Sequence, residues 1–230
     1  MKESFFNKHY NTPKWLKDKL SRRQLLKSAA GTSALAAIPF SSLTFAQKED
    51  VESTLNAEPW LTLNAVLNHL LPNSEQGISA TDIKATYYLY QLIHQQPTAT
   101  DEINFIYKGV GWLNSYSQKK TDKVFIALTP TDKEEVLRDI SRSTAGDNWI
   151  SMLISNLYEA MLTPPSYGGN PNGIGWKWLE HQAGFPLPEA GERYFELPQR
   201  SKQAATASKH IIPTRNTFAG KPRTQGTTKA

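Results

Sequence analysis

The run with the most chemical promise is Tyr167-Gly168-Gly169-Asn170-Pro171-Asn172-Gly173-Ile174-Gly175-Trp176, because clustered glycines can bring backbone N–H groups close to a phosphate. Dinucleotide binding by that route needs a strand, the glycine turn and a helix, in that order. Here the glycines follow a predicted helix and precede aromatic residues, so a phosphate cradle is not expected. The five histidines, His9, His69, His94, His181 and His210, show no metal-ligand spacing. There is no cysteine, which excludes disulfides, thiolate iron–sulfur ligation, covalent haem through C-x-x-C-H and a cysteine nucleophile. His69 falls on an apolar helix and reads as a boundary residue. Glu134, Glu135 and Asp139 read as a solvated helix face, and Ser166 lacks the context of a nucleophile elbow. The residues therefore assign no catalytic, cofactor-binding or metal-binding position.

The elements around the glycine run are helical. Trp60, Leu61, Leu63, Val66, Leu67, Leu70 and Leu71 recur at helical spacing and stop at Pro72. Ser79 or Thr81 is placed to cap a second helix bearing Ile83, Tyr87, Leu89, Tyr90 and Ile93, ended before Pro97. Asp101 opens a third through Ile103, Ile106, Val110, Leu113 and Tyr116, weakened by Gly109 and Gly111. Thr129-Pro130-Thr131-Asp132 is a helix start, and that helix runs to about Ser141. Asp147 begins the last long helix, with apolar Trp149, Ile150, Leu153, Ile154, Leu157, Met161 and Leu162, broken at Pro164-Pro165. No alternating strand pattern occurs. The expected class is all-α, an orthogonal bundle of about five helices over 58–198. A long ordered, extended segment rich in Gly, Pro and aromatic residues follows Pro164. Residues 47–57 read as a flexible linker, and 199–230 as a disordered basic tail.

Charge is unevenly distributed. The chain carries 26 Lys and Arg against 21 Asp and Glu, a net charge of +5. Eight of the basic residues lie in 1–46 against two acids, and seven more follow Pro198 with none. The body between is acidic, which speaks against nucleic-acid binding.

The basic start has the layout of an export signal. Ser21-Arg22-Arg23-Gln24-Leu25-Leu26-Lys27 matches a twin-arginine core, followed by the uncharged and weakly apolar run 28–45. Thr44 and Ala46 offer small side chains for cleavage before Gln47. The expectation is a twin-arginine leader over 1–46, recognised by the twin-arginine translocase, that delivers a folded protein to the periplasm. An ordinary secretory signal, or retention of the run as a membrane anchor, is the alternative.

The segment from Leu157-Tyr158-Glu159-Ala160-Met161-Leu162-Thr163-Pro164-Pro165 through Tyr167-Gly168-Gly169-Asn170 to Gly173-Ile174-Gly175-Trp176 resembles the gluconate 2-dehydrogenase subunit 3 family. Leu70-Leu71-Pro72, Leu128-Thr129-Pro130 and the leader agree with it, and the resemblance covers roughly 58–190. Pro171 stands where a basic residue is common. The resemblance implies a small, non-catalytic subunit without a cofactor of its own. Its partner would be a flavin-dependent large subunit of the glucose–methanol–choline type, carrying FAD and acting on a sugar acid, sugar or alcohol. A cytochrome c subunit often takes the electrons, which would place haem c in a further subunit. The small subunit would supply the export signal, and the complex would lie in the periplasm, held at the inner membrane through its other subunits. Tyr167, Gly168, Gly169, Asn170, Gly173, Gly175, Trp176 and Trp178 are the candidate partner interface, because Tyr and Trp give large buried area with a polar handle. The other reading of the chain is a stand-alone periplasmic helical enzyme or ligand-binding protein.

Overall fold

Where each helix begins follows from how its first free N–H groups find partners. We describe the protein from a computed structural model, covering residues 4–20, 51–75, 77–184 and 187–197. Ser21, Arg22, Arg23, Leu25, Leu26, Lys27, Ala46 and the tail 199–230 lie outside the described residues. The helices are α1 (Lys14–Leu20), α2 (Trp60–Leu70), α3 (Ala85–His94), α4 (Thr100–Thr121), α5 (Pro130–Ser141), α6 (Thr144–Leu162) and α7 (Ile174–Trp178). Among the described residues there is no strand, only an isolated bridge between Ser74 and Gly77. The fold is all-α, and the five expected helices are α2 to α6.

Thr129 caps α5 as expected, its hydroxyl accepting the Asp132 N–H at 3.2 Å. Two starts differ from the sequence expectation. Helix α6 begins at Thr144 rather than Asp147, because the Ser143 hydroxyl accepts the Gly146 N–H at 3.1 Å. Helix α3 begins at Ala85: Ser79 and Asp82 cap one another across a single turn, and Lys84, in left-handed backbone at φ 54°, ends that turn first. The expected linker holds a helical stretch at 51–55, and Leu55 packs against the core. The segment after Pro164 is not extended. It forms 3-10 turns at Pro165–Tyr167 and Pro171–Gly173, and then α7.

Helix α6 is the centre of the bundle, in contact with α1, α2, α3, α4, α5 and α7. Its inward face carries Trp149, Met152, Leu153, Leu157, Ala160 and Met161, all buried. Trp149 is fully enclosed, and its indole N–H donates to the Ile106 carbonyl of α4 at 3.2 Å. Gly109 makes this approach possible, since a Cβ there would lie 2.0 Å from the Trp149 indole nitrogen. Gly111, two residues on, faces open space. The two glycines that weaken α4 in sequence thus play different parts, and α4 runs unbroken to Thr121.

The acidic face of α5 is paired as well as solvated, which corrects the expectation of a purely solvated surface. Glu134 bonds His69 of α2 at 2.8 Å and Arg138 at 2.6 Å. Asp139 accepts from Lys120 at 2.5 Å and from the Tyr116 hydroxyl at 2.9 Å. These bonds, Lys120 foremost, hold the Asp139 carboxyl below its ordinary range.

Gly109→Ala is expected to lower stability by roughly 1–3 kcal/mol or more through overpacking. Gly111→Ala should instead raise it by about 0.5–1 kcal/mol through helix propensity. Denaturant midpoints of the two variants check this; equal shifts would contradict the packing of Trp149 against Gly109.

Candidate partner interface

An α-helix ends with carbonyls that lack helical partners, and the end of α6 finds them in the glycine–aromatic loop. The Trp176 indole N–H donates to the Leu162 carbonyl at 2.7 Å. The Asn170 side-chain amide donates to the Thr163 carbonyl at 3.0 Å, and its oxygen accepts the Gly175 N–H at 2.7 Å. The Asn170 backbone N–H donates to the Ile83 carbonyl at 3.0 Å, and its own carbonyl accepts the Gly173 N–H at 3.0 Å. Asn170 is fully buried and adopts left-handed backbone at φ 50°, which asparagine tolerates better than most residues. It ties together the turn before α3, the end of α6 and the start of α7.

The glycines of the loop serve the same closure. A Cβ on Gly169 would lie 2.6 Å from the Ala160 carbonyl oxygen, and one on Gly175 would lie 2.2 Å from that of Met161. The backbone of the loop therefore rests directly on the last turn of α6, where only glycine fits.

Tyr167 is occupied from the other side. Its hydroxyl accepts the Tyr194 N–H at 3.0 Å, its ring stacks on Tyr194 at 6.1 Å, and Phe195 meets it edge-on at 6.0 Å. Ser166 donates its hydroxyl to the Pro188 carbonyl at 2.7 Å, so residues 187–197 are strapped over the Pro165–Tyr167 turn. An Arg193–Glu196 ion pair locks the strap, and Arg193 also donates to the Ser166 carbonyl at 3.3 Å. The guanidinium, followed by the backbone N–H groups of Arg193 and Gly191, holds the Glu196 carboxyl down to about 2.

Of the eight candidate interface residues, Gly169, Asn170, Gly173 and Gly175 are buried in the chain's own structure. Tyr167, Gly168 and Trp176 are half-buried. Trp178 is 47% exposed, with Leu179 beside it at 42%. An open hollow of about 510 Å³ lies next to them, lined by Pro165, Gly173, Trp176, Lys177, His181 and Leu187.

A further surface was not legible as such. Ile154, Tyr158 and Leu162 are 36%, 59% and 44% exposed. Spaced by four, they form one stripe along the outer side of α6, leading to the end on which α7 packs. In sequence, Ile154 and Leu162 stand only as apolar positions of this helix, undistinguished from the buried ones. The signal that could have separated them is a second apolar row beside the buried one of Trp149, Leu153 and Leu157.

The histidines remain scattered in their roles. His69 is bound to Glu134, and His94 packs on Tyr90 at 4.3 Å. His9 and His181 are exposed, and His210 lies outside the described residues. Among the described residues, no group of three or more His, Asp or Glu side chains is arranged to hold a metal ion. No helix among them is long and apolar enough to cross a membrane.

The site is thus a helical bundle whose glycine–aromatic loop closes the end of its central helix, beside an outward apolar stripe. The chain belongs to the gluconate 2-dehydrogenase subunit 3 family, whose model matches residues 57–184, more than half its length. Membership implies a complex with other dehydrogenase subunits. Neither a curated protein nor a solved structure matches the chain.

Asn170→Ala would strip partners from two backbone groups, the Thr163 carbonyl and the Gly175 N–H. It should cost about 1–3 kcal/mol for each group that stays buried, read from chemical denaturation. Tyr158→Ala, on the outer stripe, should stay within about 0.5 kcal/mol of the parent.

The strap gives a pH dependence. Glu196 is lowered from 4.5 to about 2 in the fold, so its contribution is complete above its ordinary value and lost as pH falls toward about 2. Glu196→Gln should therefore lower Tm at neutral pH, and the gap to wild type should close between about pH 4.5 and 2. A gap independent of pH would contradict the pairing with Arg193.

Proposed function

We propose that this chain is the non-catalytic small subunit of a flavin-dependent dehydrogenase complex. It binds a large subunit of the glucose–methanol–choline type, which acts on a sugar acid, sugar or alcohol. It escorts that subunit, already folded, through the twin-arginine translocon to the periplasm. The observation that carries the reading is the family match over 57–184, because the family's name denotes one subunit of a dehydrogenase and so implies a complex with others. FAD belongs to the large subunit, and haem c, where a cytochrome c subunit takes the electrons, to a third chain. The complex sits at the inner membrane through those partners.

Two features of this chain support the roles. Ser21-Arg22-Arg23-Gln24-Leu25-Leu26-Lys27, with small residues up to Ala46, has the chemistry of an address for folded cargo. The stripe of Ile154, Tyr158 and Leu162 offers an apolar face on the most braced helix of the bundle, where docking requires little rearrangement. The glycine–aromatic loop acts on this face indirectly. It fixes the end of α6 and leaves Trp178 and Leu179 outward as additional anchors.

Replacing Arg22 and Arg23 by Lys should leave the flavin subunit in the cytoplasm, folded and flavin-loaded. Deleting the chain should do the same. Dehydrogenase activity measured in separated periplasmic and cytoplasmic fractions tests this, and normal periplasmic activity in both strains would overturn the escort role.

A further inference from the structure

The segment that precedes the arginine pair packs into the helical domain. Phe5 is 2% exposed and Leu16 is fully buried, both within the hydrophobic core. The Phe5 ring meets Trp112 edge-on at 5.2 Å and Trp149 at 5.6 Å. Phe6 lies 5.1 Å from Tyr116, Tyr10 stacks on Phe105 at 6.3 Å, and Trp15 meets Phe105 edge-on at 6.2 Å. Polar contacts fix the register: the Asn148 amide donates to the Thr12 hydroxyl at 2.9 Å and reaches the Tyr10 hydroxyl at 3.5 Å. The receiving residues belong to α4 and α6, the pair joined through Gly109 and Trp149.

An export leader needs only positive charge ahead of its arginines. Phe5, Phe6, Tyr10, Trp15 and Leu16 are apolar or aromatic instead, and four of them fall against aromatic residues of the bundle. Without them Phe105, Trp112 and Trp149 would lose their cover, and a contiguous aromatic surface of that kind is uncommon on a free domain.

We propose that residues 4–18 are a permanent part of the domain, held in the α4–α6 groove even after the chain is cut between them and the body. Cleavage after Ala46 would then leave the N-terminal segment bound as a non-covalent fragment, with Phe5 and Leu16 still in the core. Only the position of that cut rests on the leader reading; the docking itself rests on the contacts above.

The test uses the full chain with a specific protease site inserted between Ala46 and Gln47. After cutting, the N-terminal fragment should co-elute with the body in gel filtration, identified by mass. The Phe5→Asp, Leu16→Asp double variant should release it. In the uncut chain, Phe5→Ala should lower Tm by roughly 10 °C, the shift expected for emptying a buried aromatic site in a domain of this size. Release of the wild-type fragment, or an unchanged Tm for Phe5→Ala, would overturn the proposal. Replacing Arg22 and Arg23 by Lys should leave co-elution intact. A failure of the export reading would therefore appear in fractionation and not in this assay.

Discussion

A buried asparagine that commits its side-chain amide, its N–H and its carbonyl to neighbouring backbone can hold three chain segments in one geometry. Asn170 does this with Ile83, Thr163, Gly173 and Gly175. The constraint beneath it is that the last carbonyls of α6 have no partner within the helix and find one in the loop. Trp176 satisfies one of those carbonyls directly, and Gly169 and Gly175 let the loop come close enough to do so. Once that end is closed, α7 is seated, Tyr167 is placed to receive the strap of residues 187–197, and the hollow beside Trp176 takes shape.

The same helix then serves two purposes. Its inner row, from Trp149 to Met161, holds the bundle together through contacts with every other named helix. Its outer row of Ile154, Tyr158 and Leu162 stays on the surface. Rigidity supplied from inside makes the outer row a preorganised face, which reduces the ordering cost of binding another subunit. The N-terminal segment adds to this by packing Phe5 against Trp149 within the same core. If the proposed docking on this face holds, a mutation at the end of α6 weakens it through geometry as well as through lost contacts.

The helices themselves were legible in the sequence, because apolar spacing and caps such as Thr129 act locally. The starts of α3 and α6 were less so, since Lys84 in left-handed backbone and the Ser143 cap depend on how neighbouring turns settle. Gly109 read as a weakness of α4, and only Trp149, forty residues away in sequence, gives it a purpose. The Gly-Gly-Asn run stood out as a candidate interface, yet Gly169 and Asn170 are buried against the chain's own helix end. A motif marks that a backbone geometry is required, without saying whether that geometry meets a partner or the chain's own helix end. Phe5 and Leu16 were hidden for another reason: they sit within a basic stretch, and burial in a distant groove leaves no periodic signal in so short a segment.

The proposed role rests on the outer face of α6 carrying the flavin subunit. The direct measurement is to capture the tagged full chain from the cytoplasm of cells that make its partner subunits and to read flavin absorbance in the eluate. Wild type should bring down a flavin-bearing chain in stoichiometric amount. An Ile154→Asp, Tyr158→Asp variant with an unchanged Tm should bring down little or none. Flavin recovered equally with that variant, or no flavin with wild type, would contradict the account.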